Sequence, residues 1–160
     1  KSRKINKLKI NLKMAKYITP TLAITSNKYT ATTNPGPTSS PLAVSVTDTL
    51  DVTEVVSKIV TVSAANAILF DEDAFHSAPA SAGTDGAFVY LKNLHATVNI
   101  YIGHGADGGL SGATATRLMT LLPGEFAWFG WDMEADLIVD ANGDGADGLE
   151  AVLFIRTTTT

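Results

Sequence analysis

From Gly86 to Trp131 the chain reads GAFVYLKNLHATVNIYIGHGADGGLSGATATRLMTLLPGEFAWFGW, a series of short apolar runs cut by glycine, asparagine and a Pro-Gly pair. The runs are short, and apolar residues recur at alternate positions within them, the period of a strand and not of a helix. Pro123-Gly124 marks a tight turn: proline presets the first central residue and glycine permits positive φ at the second. A chain punctuated this closely is built from short strands paired across turns.

The pattern extends to both sides. Leu42, Val44 and Val46 alternate with Ala43, Ser45 and Thr47, and Ala67–Phe70 is a further short strand. Asp51–Val62 is dense in valine, isoleucine and threonine, although positions 52, 55, 56, 59 and 60 also trace a helical stripe. The β-branched content favours a strand. Further strands are expected over Ala87–Leu91, Thr97–Ile102, Thr116–Leu122, Glu125–Phe129, Ala135–Val139 and Leu149–Ile155, with loops over Asp71–Gly86 and His104–Ala115. Eight or nine short strands imply an all-β fold, an antiparallel β-sandwich or jelly-roll-like barrel, spanning residues 42–160.

Residues 14–41 differ. They form an extended Thr/Ser/Pro-rich arm in which Thr32–Pro41, TTNPGPTSSP, is a loop or linker. A linker bathed in water has no need of scattered apolar residues, so Tyr17, Ile18, Leu22, Ile24 and Tyr29 are candidates for contact with a neighbouring subunit. Residues 1–13 hold six of the twelve basic residues and no acid, leaving six basic and sixteen acidic residues beyond them, a net of -10. The basic tip has three readings: translated leader before Met14, a solvated or partner-bound arm, or an arm that neutralises phosphates without sequence preference. The acidic body repels phosphates and argues against specific nucleic-acid binding.

Hydrophobic residues make up 45% and charged residues 18% of the chain, too apolar for a disordered polymer. The absence of cysteine excludes a disulfide scaffold and a thiolate metal site. No apolar run approaches the roughly 20 residues of a membrane-spanning helix, so no membrane partner is expected.

No catalytic constellation emerges. Asp140, Asn142, Asp144 and Glu150 sit at alternating oxygen-ligand positions around Gly145, as in a calcium loop. Yet Glu150 falls at the eleventh place instead of the twelfth, Asp147 occupies a usually apolar place, and both flanks read as strands. An acidic hairpin loop is the preferred reading and calcium the alternative, with no other cofactor expected. His76, His95 and His104 lack metal-ligand spacing, and Asp71, Glu72 and Asp73 read as a solvated loop. Ser111 lies in GLSG, which does not match the nucleophile elbow. The protein is therefore read as a non-enzyme. Phe126 and Trp128 fall on one side of a strand and Phe129 and Trp131 on the other. One pair is expected in the core and the other at a subunit contact.

The runs Phe88–Gly103 (FVYLKNLHATVNIYIG), Arg117–Trp131 (RLMTLLPGEFAWFGW), Ala135–Ala141 (ADLIVDA) and Leu149–Arg156 (LEAVLFIR) resemble small structural proteins of tailed bacteriophages. These are accessory virion or capsid decoration proteins, seen especially in marine phages. The resemblance covers residues 86–156 and transfers no catalytic residues. It implies a virion component, assembled in the host cytoplasm as a symmetric homo-oligomer such as a homotrimer, with the major capsid protein as its partner. A tail fibre or host-recognition module is the second reading, and a calcium-dependent carbohydrate-binding or hydrolytic domain the third.

Overall fold

Valine, isoleucine and aromatic side chains at alternate positions bury one face of most strands, and the described residues accordingly fold almost wholly as β structure. A computed structural model describes residues 16–25, 43–75, 86–105, 110, 116–143 and 146–156. The basic tip, the Thr32–Pro41 block, Tyr29, His76, Ser111, Asp144 and most of the 104–115 loop lie outside the described residues. The elements are β1 (Lys16–Ile18), β2 (Thr21–Thr25), β3 (Ala43–Thr47), β4 (Leu50–Val62), β5 (Ala67–Phe70), α1 (Glu72–Phe75), β6 (Ala87–Asn93), β7 (Ile100–His104), β8 (Arg117–Leu121), β9 (Phe126–Trp131), β10 (Leu137–Ala141) and β11 (Ala146–Arg156). Among the described residues no helix is long and apolar enough to cross a membrane.

The chain divides into two compact units, Lys1–Val52 and Thr53–Thr160. In the first, β1 pairs antiparallel with Leu50–Val52 at the start of β4. There β2 and β3 form an antiparallel hairpin in which Thr21 faces Thr47 and Leu22 faces Val46. The arm expected from its composition is thus in part strand.

In the second unit the eight strands from β4 to β11 form two sheets, ordered β4-β11-β6-β9 and β5-β10-β7-β8. Numbered one to eight along the chain, these orders are 1-8-3-6 and 2-7-4-5, the arrangement of a double-Greek-key jelly roll. All described pairings are antiparallel, and β6 is flanked by β11 and β9 along its whole length. The stretch 51–62, for which a helical stripe competed, is strand.

The core lies between the sheets. Val89 and Leu91 from β6 and Leu149, Ala151 and Leu153 from β11 meet Ile100, Ile102, Leu137 and Val139 from the facing sheet. Phe70, Trp131 and Met133 close one part of it, with Phe70 and Trp131 ring centroids 6.3 Å apart. Full burial of such side chains contributes about 1.5–3 kcal/mol each before entropic costs.

Two strands, β7 and β10, start two or three residues later than the sequence pattern implies, each for a local reason. Residues 97–99 leave the strand because His95 Nδ1 accepts hydrogen bonds from the amides of Thr97 (3.0 Å) and Val98 (2.9 Å), curling the chain before β7. Residues 135 and 136 are excluded from β10 by a turn in which Met133 adopts φ 64° and Asp132 Oδ1 accepts from the Glu134 amide at 3.2 Å. The Leu122–Glu125 turn does form, with Gly124 at φ 80° and the Glu125 amide bonded to the Leu122 carbonyl at 3.0 Å.

Gly103 sits at a register shift between β7 and β8. A Cβ there would collide with a Leu110 methyl group and lie 2.6 Å from the Thr116 carbonyl oxygen. Because one obstacle is backbone, relief requires the strand to move. Gly103→Ala is expected to lower stability by about 1–3 kcal/mol, read as a lower denaturation midpoint at unchanged m-value.

Candidate contact surfaces

Sheet alternation decides the fate of the aromatic burst on β9. Ala127, Phe129 and Trp131 pair across to Leu91, Val89 and Ala87 and turn with them toward the core. Phe126 and Trp128 pair with Lys92 and Tyr90 and turn to the outer side, where they remain 63% and 37% exposed. Trp131 donates its indole N–H to the Ala135 carbonyl at 3.1 Å, the partner that a buried tryptophan requires.

The outer side of β4-β11-β6-β9 carries a layer of rings. Trp128 stacks on Phe88 with centroids 5.3 Å apart and an interplanar angle of 9°. It also lies 5.4 Å from Phe154 in a tilted arrangement, and Tyr90 is 6.5 Å from Phe126. The Arg156 guanidinium sits over Phe88 at 5.2 Å. On β4, Val56, Val60 and Val62 belong to the core side, so Val55 and Ile59 share the outer side, where Ile59 is 72% exposed. Burial, and then the charge of Glu150, push the Tyr90 phenol above its usual range. The sequence pattern singled out Phe126 and Trp128 but passed over Phe88, Tyr90, Val152, Phe154 and Ile59. The signal was present, because 87–91 and 151–155 are apolar at both parities, a feature of strands covered on both faces.

In the other unit, hairpin register places Leu22, Ile24 and Val46 on one face, and all three are exposed. Tyr17 is exposed on β1 and Ile18 is half-buried.

Asp140 and Glu150 separate. Leu137, Val139 and Ala141 point into the core, so Asp140 points to the outer side of its own sheet, where it is buried. Glu150 points to the outer side of the opposite sheet, in register with Lys92. Alternation therefore sets Asp140 and Glu150 on opposite faces of the sandwich. Asn142 Oδ1 accepts from the Asn99 amide at 2.9 Å, a loop-to-loop tie.

Carboxylate oxygens of Asp71, Glu72 and Asp136 lie within 4.8 Å of one another. Their bonds are local: Asp136 Oδ1 accepts from the Glu72 amide and Asp71 Oδ1 from the Asp73 amide, both at 3.0 Å, steadying the single turn α1. Hydrogen bonding to Asp136 is the main cause that raises the Glu72 pKa. Lys58 donates to the Leu69 carbonyl and lies 4.4 Å from the Phe70 ring centre; burial lowers its pKa. A cleft of about 550 Å³ beside β8 and β9 is lined by His104, Leu118, Phe129, Trp131, Asp132 and Glu134.

The fold and its faces define an all-β jelly-roll sandwich. No family model and no curated protein matches the chain. Among solved structures it is similar to a protein of the Bacillus endospore appendages, which form a family of disulfide-linked pili. That likeness spans 66% of this chain and 87% of the other at 18% identity, with a TM-score of 0.46. This chain has no cysteine.

Proposed function

We propose that the protein is a non-enzymatic virion structural component, a capsid decoration protein that holds to its shell through the N-terminal unit. The observation that carries the contact is the hairpin β2-β3, whose Leu22, Ile24 and Val46 side chains share one exposed face. A two-stranded hairpin is marginal in water, and an apolar face on it gains stability when a partner covers it. The choice of a virion shell rests on the resemblance of residues 86–156 to phage structural proteins. The mechanism is burial of surface and strand contact, with no bond made or broken.

The Leu22→Ser/Ile24→Ser double variant removes two apolar anchors while leaving residues 53–160 untouched. Cosedimentation with capsids lacking this protein is expected to show binding weakened more than about tenfold, with the melting of the sandwich unchanged. Occupancy equal to that of the unaltered chain would remove the hairpin from the shell contact. Failure of the unaltered chain to bind capsids would refute the decoration role.

A further inference from the structure

The outer face of β4-β11-β6-β9 carries an apolar layer over β11, β6 and β9, joined on β4 by Val55 and Ile59 between Thr53, Ser57 and Thr61, where a sandwich sheet ordinarily turns mostly polar side chains to water. Its charges, at the ends, are arranged to match themselves. Because Leu149, Ala151 and Leu153 are buried, β11 presents Glu150, Val152, Phe154 and Arg156 outward in that order. Acid stands at one end, base at the other, and apolar side chains between.

Consider a second copy turned by 180° about an axis lying between the two sheets and running across the strands. β11 then lies antiparallel over its counterpart, Glu150 meets Arg156, and Val152 meets Phe154. On β6, Lys92 and Phe88 occupy opposite ends of the outward row, as their pairing with Glu150 and Phe154 requires. The same rotation sets Tyr90 over Phe88, ring toward ring, and carries Lys92 over the Gly86 position beside Arg156. Stacking with the strands running in the same direction sets Arg156 on Arg156 and Glu150 on Glu150, which repels. The charge pattern therefore selects one orientation.

We infer that this face binds a second copy of the chain in a two-fold, strand-reversed, sheet-on-sheet dimer. Four strands about 4.8 Å apart, with outward residues over about 20 Å of strand, give a footprint on the order of 20 Å square. Two such faces, about 800 Å² together, fall below the standard range, the size of a weak dimer that forms only at raised concentration. Trp128 is its anchor, held between Phe88 and Phe154 so that little side-chain freedom remains to be lost. The rings provide affinity, while the terminal charges, lying at the rim, set register and exclude the wrong orientation. The inference concerns the sandwich unit and is independent of the shell contact assigned to the hairpin.

Sedimentation equilibrium on the full chain, over micromolar to near-millimolar concentrations, tests it. The unaltered protein is expected to dimerise. Glu150→Arg and Arg156→Glu are each expected to weaken the dimer at least tenfold, since each two-fold pair sets two like-charge contacts. Mixing the two variants is expected to restore a heterodimer. One copy then carries a base at both positions and the other an acid at both, so each of the two contacts again joins opposite charges. Near-UV circular dichroism of each variant reports whether the fold is kept, and Phe126→Ser supplies a second, charge-independent disruption. A monomer at every concentration, a three-fold or larger assembly, a dimer indifferent to both reversals, or folded variants that do not recombine would each overturn the inference. None of these results bears on capsid binding, which the hairpin variant reads separately.

Discussion

Replacing Asn93 with alanine is expected to lower stability by roughly 3–5 kcal/mol, because three hydrogen-bonding groups lose their partner inside the fold. Asn93 is fully buried at the end of β6. Its amide nitrogen donates to the carbonyls of Val98 (2.8 Å) and Leu121 (3.0 Å), and its side-chain oxygen accepts from the His95 amide at 2.9 Å. The backbone joins in, the Asn93 amide bonding the Glu125 carbonyl at 2.9 Å and the Gly124 amide bonding the Asn93 carbonyl at 3.0 Å. One side chain thus ties β6 of one sheet to the end of β8 in the other, and shapes the turn that leads into β7. Alanine removes the donors and leaves a space of a few heavy atoms. Water can relieve part of the loss only if it enters that space.

Asn93→Asp separates the hydrogen-bond term from the volume term. It keeps the acceptor for His95 but directs a carboxylate at two carbonyl oxygens. That environment favours the protonated acid, so its folded-state pKa lies above the unfolded value near 4. Stability is then greatest below that unfolded value and falls as pH rises toward and through the folded-state pKa. Denaturation midpoints measured from acid to neutral pH are expected to fall for Asn93→Asp relative to the unaltered chain. A flat difference between the two would show that the Val98 and Leu121 contacts contribute little.

Trp131→Ala is expected to cost about 3–5 kcal/mol. The side chain is only 6% exposed, packs against Phe70 at 6.3 Å and donates to the Ala135 carbonyl. It also lines the cleft beside β8 and β9, which gives water a route to the space alanine leaves. That access favours the lower half of the range. Trp131→Phe keeps most of the ring volume and loses the indole donor, so a loss of about 1–2 kcal/mol is expected. Urea titrations of the three proteins give both numbers, and equal losses for alanine and phenylalanine would assign the effect to the hydrogen bond alone.

Much of the architecture was legible in the chain. Strand positions followed from period-two alternation bounded by glycine, proline and asparagine, and Ala67–Phe70 forms its strand with the bounds that pattern implies. The β-branched run at 51–62 resolved the competition with a helical stripe, since valine and isoleucine lose side-chain freedom in a helix. The division of the β9 aromatics into Phe126/Trp128 and Phe129/Trp131 needed only strand geometry.

The candidate surfaces were less legible. Sequence placed single apolar residues in the arm, but Leu22, Ile24 and Val46 become one face only when β2 pairs with β3 in that register. Asn93 looked like turn punctuation, because its importance lies in the Leu121 carbonyl, 28 residues away along the chain. Asp140 and Glu150 stood at the two ends of one acidic loop in the sequence, and the crossover between sheets sends them to opposite faces.

The division has a physical basis. Local alternation sets which residues of a strand share a side, since that depends on backbone geometry within a few residues. Which side is core depends on the neighbours across the sheet: Trp131 is buried because β6 brings Ala87 opposite it and Phe70 closes over it. The order 1-8-3-6 over 2-7-4-5 depends on pairings between strands far apart in the chain. Those pairings alone bring Phe88, Trp128 and Phe154 into one aromatic layer, and no short-range pattern encodes them.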